Sequence, residues 1–327
     1  MYHILRTYLR LKGCLNVKYS ALQNGVSVSQ ITFGCWELGG GQWEKESDEL
    51  NIQAIQTAFE LGINSFDTAE GYGQGHSEEI VGFALEGKRQ DCVIATKVSP
   101  NHLKRDDILR SIEQSLKRLR TDYVDIYYVH WPNPEIPLTE TMETFRQLRE
   151  EGVIKSVAVS NFWKEQLEQA MTVVQVDVIQ PEYSLLDRRI EQEVLPYCRD
   201  HGIGILTYSS VAKGILTGAY HIGGVTLKET DFRQGRRLFK PEHMEKEREL
   251  VLLVKEIADA HGVSPAEIAI AWLLHQPGVT SAIVGTQNIR HLKDNVRAVE
   301  IQLNQDELNR LDQVSRRTIE AIDATEA

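Results

Sequence analysis

Residues 93–130 read VIATKVSPNHLKRDDILRSIEQSLKRLRTDYVDIYYVH, and this stretch decides the fold. An apolar, β-branched run (Val93–Lys97) leads into a segment of helical periodicity (Arg105–Leu119) and then into a second apolar run (Val124–His130). Strand, helix and strand in that order predict two parallel strands joined by a crossover helix. The alternation recurs outward in both directions. Strands are expected at Ile31–Gly34, Ser65–Asp67, Val93–Lys97, Val124–His130, Ser156–Ser160, Val178–Gln180, Gly204–Tyr208 and Ser281–Val284. Helices are expected near Asp48–Leu61, Glu78–Leu85, Arg105–Leu119, Leu138–Glu151, Lys164–Ala170, Glu191–His201, Lys246–His261 and Pro265–His275. Eight strands alternating with helices place the chain in the α/β class as a (β/α)8 TIM barrel.

Three segments lie outside the repeat. Tyr19–Leu22 and Val26–Val28 flank Asn24-Gly25, a two-residue hairpin signal, so an N-terminal antiparallel β-hairpin is expected ahead of the barrel, placed to plug its bottom. His221–His243 is rich in Gly, Arg and Lys and too long for an ordinary connection, as lids and binding loops are. Asn304–Arg316, with Leu308, Leu311 and Val314 at helical spacing, is expected to be an additional C-terminal helix on the barrel's outside. Residues 18–327 are read as a single barrel domain. Residues 1–17 carry three cations and no acid, and are read as an extension from an upstream mis-called start, with a transit peptide as the alternative.

Composition narrows the function classes. The 327 residues are 42% hydrophobic and 25% charged, ordinary for a globular protein. With 47 acids against 36 bases the net charge is −11, which argues against a nucleic-acid binder needing a basic face. No apolar run approaches a membrane span, so no membrane partner is expected. Cys14, Cys35, Cys92 and Cys198 are scattered without a CxxC pair, giving neither a disulfide framework nor a zinc site, and a cytoplasmic location is expected. Whether the chain is a monomer or a homo-oligomer stays open.

In a TIM barrel the chemistry sits at the C-terminal ends of the strands. Here those ends are Asp67, Lys97, His130, Ser160-Asn161, Gln180 and Tyr208, six successive polar or aromatic positions. Tyr72 follows Asp67 in a loop between Gly71 and Gly73 that lets its phenol reach the barrel mouth. Only His130 and Asp67 are offered as metal ligands, too few for a metal-dependent barrel hydrolase, so no metal is expected.

The segment Gly62-Ile63-Asn64-Ser65-Phe66-Asp67-Thr68-Ala69-Glu70-Gly71-Tyr72-Gly73 resembles the signature of the aldo-keto reductases. Lys97 after Ala95-Thr96, His130 in Tyr128-Val129-His130-Trp131, Ser160-Asn161, Gln180-Pro181-Glu182-Tyr183-Ser184 and Tyr208-Ser209 follow in the family's order, over about residues 18–316. The long loop and Gly214–Gly218 look closer to the bacterial and potassium-channel-β-like branches. The resemblance implies an NADPH-dependent oxidoreductase that reduces small aldehydes or ketones without a metal. Tyr72 would be the general acid, Lys97 would lower its pKa, Asp67 would hold Lys97, and His130 would orient the carbonyl and share in proton transfer.

For the cofactor, the resemblance implies Gly34 and Trp36 after the first strand, with Ser160, Asn161 and Gln180 on the carboxamide and Tyr208 stacked on the nicotinamide. The pyrophosphate would lie along Ser209, Val211, Gly214 and Leu216, and the adenosine at Gly285, Thr286, Gln287, His291, Asp294 and Asn295. Gln287 stands where many relatives carry Arg or Lys, a cation suited to the 2′-phosphate. Arg290 or Lys293 could compensate, so NADP(H) is the first choice and NAD(H) remains open. Trp36 and Trp131 are read as substrate-pocket walls, with Trp43 and Trp163 as further mouth residues, and Arg233, Arg236 and Arg237 as solvated. The alternative function is a cofactor-bound regulatory or redox-sensing subunit with low turnover.

Overall fold

The computed structural model describes residues 17–40 and 47–326, so Cys14, Trp43 and residues 1–16 of the expected extension lie outside the described residues. Eight parallel strands close into a barrel: β3 (Ile31–Gly34), β4 (Ser65–Asp67), β5 (Val93–Val98), β6 (Val124–Val129), β7 (Ile154–Ser160), β8 (Val178–Gln180), β9 (Gly204–Thr207) and β10 (Val279–Val284). They follow one another around the ring in chain order, and β10 closes it by pairing with β3 (Ala282 opposite Ile31, Val284 opposite Phe33). All eight expected strands are present. Their ends differ by a residue or two: β6 stops at Val129, so His130 opens the following loop while its amide still donates to the Val98 carbonyl at 3.1 Å.

Period-two alternation decides which side chains see the barrel interior. Val93 and Ala95 on β5 and Ile126 and Tyr128 on β6 face inward, into a cluster completed by Ala158, Val178, Leu206 and Ile283. Their neighbours Ile94 and Tyr127 face the helices, where Tyr127 stacks on Phe145 at 4.9 Å. The same parity carries Lys97 inward, directly above Ala95. The residue that ends the apolar run therefore sits on the interior axis at the C-terminal face.

The hairpin pairs β1 (Tyr19–Ala21) with β2 (Ser27–Ser29), Ala21 opposite Ser27, so five residues form its turn instead of the expected two. Leu22 explains the difference. It leaves the strand, joins Val28 in the interior cluster and closes the bottom of the barrel. A Cβ on Gly204 would lie 2.4 Å from the Leu22 Cδ2, so the glycine that begins β9 lets the Leu22 side chain pack against it.

The helix expected from Lys246 begins at Pro241 and runs to His261, its proline at the position where a missing N–H costs nothing. The C-terminal helix runs Gln305–Asp323, beyond the expected end at Arg316, and is capped by Asn304 with Glu307. It packs on the Pro241–His261 helix, and Arg188 reaches it through the Asp312 and Ser315 side chains. Among the described residues no helix is long and apolar enough to cross a membrane.

Candidate active site

Asp67 ends β4 and Lys97 lies one residue from the end of β5, so adjacent strands deliver an acid and a base to one spot inside the ring. Lys97 is wholly buried. Its Nζ lies 2.5 Å from the Asp67 Oδ1, 2.7 Å from the Thr68 carbonyl and 3.3 Å from the Tyr72 hydroxyl. Burial works against the ammonium, yet Asp67 and Tyr72 more than compensate, and its pKa stands above the ordinary lysine value. The other Asp67 oxygen, Oδ2, accepts from the Gln180 Nε2 at 2.7 Å. Because an ionised carboxylate can only accept, this bond also fixes the amide's orientation and leaves the Gln180 Oε1 for another donor.

The effect of Lys97 on Tyr72 has the expected sign but is outweighed, and the proton-sharing role expected of His130 needs correction. Lys97 does pull the Tyr72 phenol toward ionisation, but burial is the larger effect and the net pKa lies above the free value. The Tyr72 hydroxyl is therefore protonated throughout the neutral range. His130 meets Tyr72 edge-on, ring centroids 5.7 Å apart, and burial together with Lys97 drives its pKa down to about 3. A neutral imidazole can donate a hydrogen bond to a carbonyl oxygen. It holds no spare proton to share, contrary to that part of the sequence expectation.

Above these residues opens a cavity of about 660 Å³. Asp67, Tyr72, His130, Trp36 and Trp131 line one end, while Lys97 supports that wall from behind. The long loop reaches over the same end, its Phe232 edge-on to Trp36 at 5.3 Å. On the barrel side, the Asn161 Nδ2 donates to the His130 carbonyl and the Ser160 Oγ, both at 3.0 Å, and its Oδ1 accepts from the Tyr208 hydroxyl at 2.8 Å. Ser160 donates to the Gln180 carbonyl at 2.7 Å. The four residues assigned to a carboxamide and a nicotinamide ring thus form one connected wall.

The other end fits a phosphate-bearing ligand. Ser209, Ala212, Lys213 and Gly214 all adopt positive φ, so successive backbone units turn into a cradle beside the cavity. Gly34 and Gly285 pack so closely that a Cβ on Gly34 would come within 3.3 Å of the Gly285 amide nitrogen, leaving room beside them for a ligand. Val211, Thr286 and His291 also line the cavity. Other expected contacts are not on the cavity wall. Leu216 is buried in the core between barrel and helices, and Asp294 pairs with Arg297 at 2.9 Å. Asn295 is buried beneath the helix Ile289–Arg297, and the Gln287 Nε2 donates to the Asn51 Oδ1 at 3.0 Å.

The loop arginines are not solvated as a group. The Arg233 side chain is 15% exposed, pairs with Asp231 at 2.6 Å, lies among the rings of Tyr220, Phe232 and Phe239 and lines the cavity. Arg237 pairs with Asp323 and Glu326 of the C-terminal segment. Sequence reading also passed over Lys213, paired with Glu182, and Glu37, both on the cavity wall. Glu37 stands three residues after Gly34 in the loop that follows the first barrel strand, and its place in that mouth loop was the available signal.

Comparison with known proteins agrees with this geometry. The aldo/keto reductase family model matches residues 30–316. The chain is 35% identical to the aldo-keto reductase YhdN of Bacillus subtilis, covering 92% of this chain and 94% of that one. It is 33% identical to a probable voltage-gated potassium channel subunit beta of Arabidopsis thaliana, over 85% and 90%. Among solved structures, an aldo/keto reductase from Klebsiella pneumoniae in complex with NADP and acetate superposes with a TM-score of 0.74 at 30% identity, covering 92% of this chain and 96% of that one. The chain belongs to the aldo/keto reductase family, oxidoreductases that use NAD(P)H.

Proposed function

We propose that this chain reduces neutral aldehydes and ketones with NADPH, NADH being the alternative, and that Tyr72 donates the proton. The observation that carries this reading is the buried Lys97, placed between Asp67 and the Tyr72 hydroxyl at the wall of an open cavity. When bound, the nicotinamide supplies a hydride to the carbonyl carbon. The Tyr72 hydroxyl gives its proton to the carbonyl oxygen, and the Lys97 ammonium stabilises the phenolate left behind. Asp67 keeps that ammonium charged and in place, with Gln180 steadying the carboxylate. Neutral His130 donates a hydrogen bond to the same oxygen, and Trp36, Trp131 and Phe232 keep water from it.

Charge supports a neutral substrate. Among the described residues the cations at the cavity are each held by an acid, Lys97 by Asp67, Lys213 by Glu182 and Arg233 by Asp231. The reading is tested by following NADPH absorbance with a panel of aromatic and aliphatic aldehydes. Turnover is expected, with carboxylate-bearing carbonyls the poorest. Nucleotide binding with no turnover on any carbonyl would favour the regulatory reading, which the likeness to the potassium-channel subunit keeps in view.

Cofactor choice turns on Gln287. An arginine there would add a charge-assisted contact to a 2′-phosphate while giving up the bond to Asn51. Gln287→Arg is expected to tighten NADP(H) by about tenfold, the low end of what such a contact provides, with little change for NAD(H). Titration of both nucleotides checks this. Equal effects on the two would remove Gln287 from the 2′-phosphate position.

A further inference from the structure

Two carboxylates reach the cavity wall, and only one of them is neutralised. Asp67 is held by Lys97 and Gln180. The Glu37 carboxylate has no hydrogen-bond or ion-pair partner among the described residues, Arg233 acting on it only through its field. It opens the short turn Glu37–Gly39 that follows β3, and the Gly40 amide closes that turn onto the Glu37 carbonyl. Its carboxylate carbon lies 3.6 Å from where a Cβ on Gly285 would stand, which sets it against the first residue after β10. Thr286 and His291 border the same part of the cavity.

Among the described residues the charges around it do not balance. Arg233 is the cation whose field Glu37 feels, but it is already engaged by Asp231. Lys213, across the cavity, is engaged by Glu182. His291, on the helix after β10, borders the same cavity, as do Asp67, Tyr72 and His130, with Lys97 held at Asp67. A surplus negative charge therefore stands on the wall of the cavity whose backbone cradle fits a ligand carrying phosphates. Such a charge repels the diphosphate unless it is neutralised.

We propose that Glu37 links dinucleotide binding to proton uptake: with its carboxyl protonated the cavity accepts the diphosphate, and with it ionised the diphosphate is opposed. The proposal rests on the reading that this cavity holds NAD(P)H. Burial pushes the Glu37 carboxyl up to about 7, so both forms are populated near neutrality. The sign follows from linkage. A bound diphosphate raises the carboxyl's pKa further, so a proton enters on binding, and affinity falls as pH rises through the free-state value.

The test compares wild type with Glu37→Gln and Glu37→Ala, titrating NADPH and NADH by fluorescence from about pH 6 to about pH 8.5. NADH is included because the 2′-phosphate of NADPH itself titrates near pH 6. His291 protonation would move affinity in the same direction, so the difference in slope between wild type and variants is the readout. Wild-type affinity is expected to fall roughly three- to tenfold above neutrality, with both variants flatter and binding more tightly at alkaline pH. Calorimetry in two buffers of different ionisation enthalpy should find net proton uptake in the wild type, reduced in both variants. Equal slopes in all three proteins, or weaker alkaline binding in both variants, overturn the proposal. Failure of the wild type to bind either nucleotide removes the reading on which it rests, and the proposal with it.

Discussion

Replacing Tyr72 by phenylalanine is expected to lower kcat by about 10²- to 10⁴-fold, the usual contribution of a positioned general acid, while nucleotide affinity stays within about threefold of wild type. The substitution removes one hydroxyl and leaves the ring, so the contacts with Trp36 and His130 survive. A pH dependence accompanies this. Burial outweighs Lys97 and keeps the phenol's pKa above its free value, so the donor form persists through neutrality. With saturating nucleotide, turnover in the wild type should be level there and fall only at alkaline pH, where the phenol ionises. With its pKa down at about 3, His130 should contribute no inflection between about pH 5 and about pH 8. Steady-state rates across pH for the two proteins check both statements, and a variant keeping more than about a tenth of wild-type kcat would remove Tyr72 as the acid.

Replacing Lys97 by methionine should damage two properties at once. The Asp67 carboxylate would retain the Gln180 amide but lose the buried ammonium 2.5 Å away. Breaking a buried pair from one side typically costs about 3–5 kcal/mol, because the remaining charge is left uncompensated. Denaturant unfolding should register that loss, and turnover should fall with it because the Tyr72 phenolate loses its stabilising cation. The double variant Lys97→Met, Asp67→Asn separates the effects. It should regain most of the stability, having no buried charge left to satisfy, and none of the turnover. A single variant as stable and as active as wild type would contradict the role given to this pair.

Much of this was legible in the sequence because it depends on short-range pattern. The apolar runs and their spacing carry the eight strands, and the period of two carries the inward direction of Lys97 from Val93 and Ala95. Strand ends are where a barrel presents chemistry, so Asp67, Lys97, His130, Ser160, Gln180 and Tyr208 could be read in order without knowing a single contact. What the sequence did not carry depends on long-range packing. Leu22 looks like a strand residue until the barrel bottom needs a plug. Arg233 looks solvated until Asp231 and three aromatic rings enclose it.

The electrostatic balance has the same origin. That Lys97 lowers the Tyr72 pKa follows from residue types alone, whereas the larger opposing effect is burial, which only the assembled mouth determines. His130 was assigned a share of the proton on similar grounds, and its desolvation beside Lys97 removes that role. Glu37 carries no motif. It becomes notable only when one cavity wall carries both its carboxylate and a backbone cradle suited to phosphate.

The central claim, that this barrel performs carbonyl reduction with a nicotinamide nucleotide in the cavity that Tyr72 lines, is tested most directly by label transfer. NADPH deuterated at the transferable position of nicotinamide C4 is incubated with the wild-type protein and an aromatic aldehyde, and the alcohol is analysed by mass spectrometry. The account predicts one alcohol formed for each NADPH consumed, with the deuterium on the carbinol carbon and neither product appearing at a comparable rate with Tyr72→Phe. Alcohol without deuterium on that carbon, or nucleotide bound with no alcohol formed from any carbonyl offered, would contradict it.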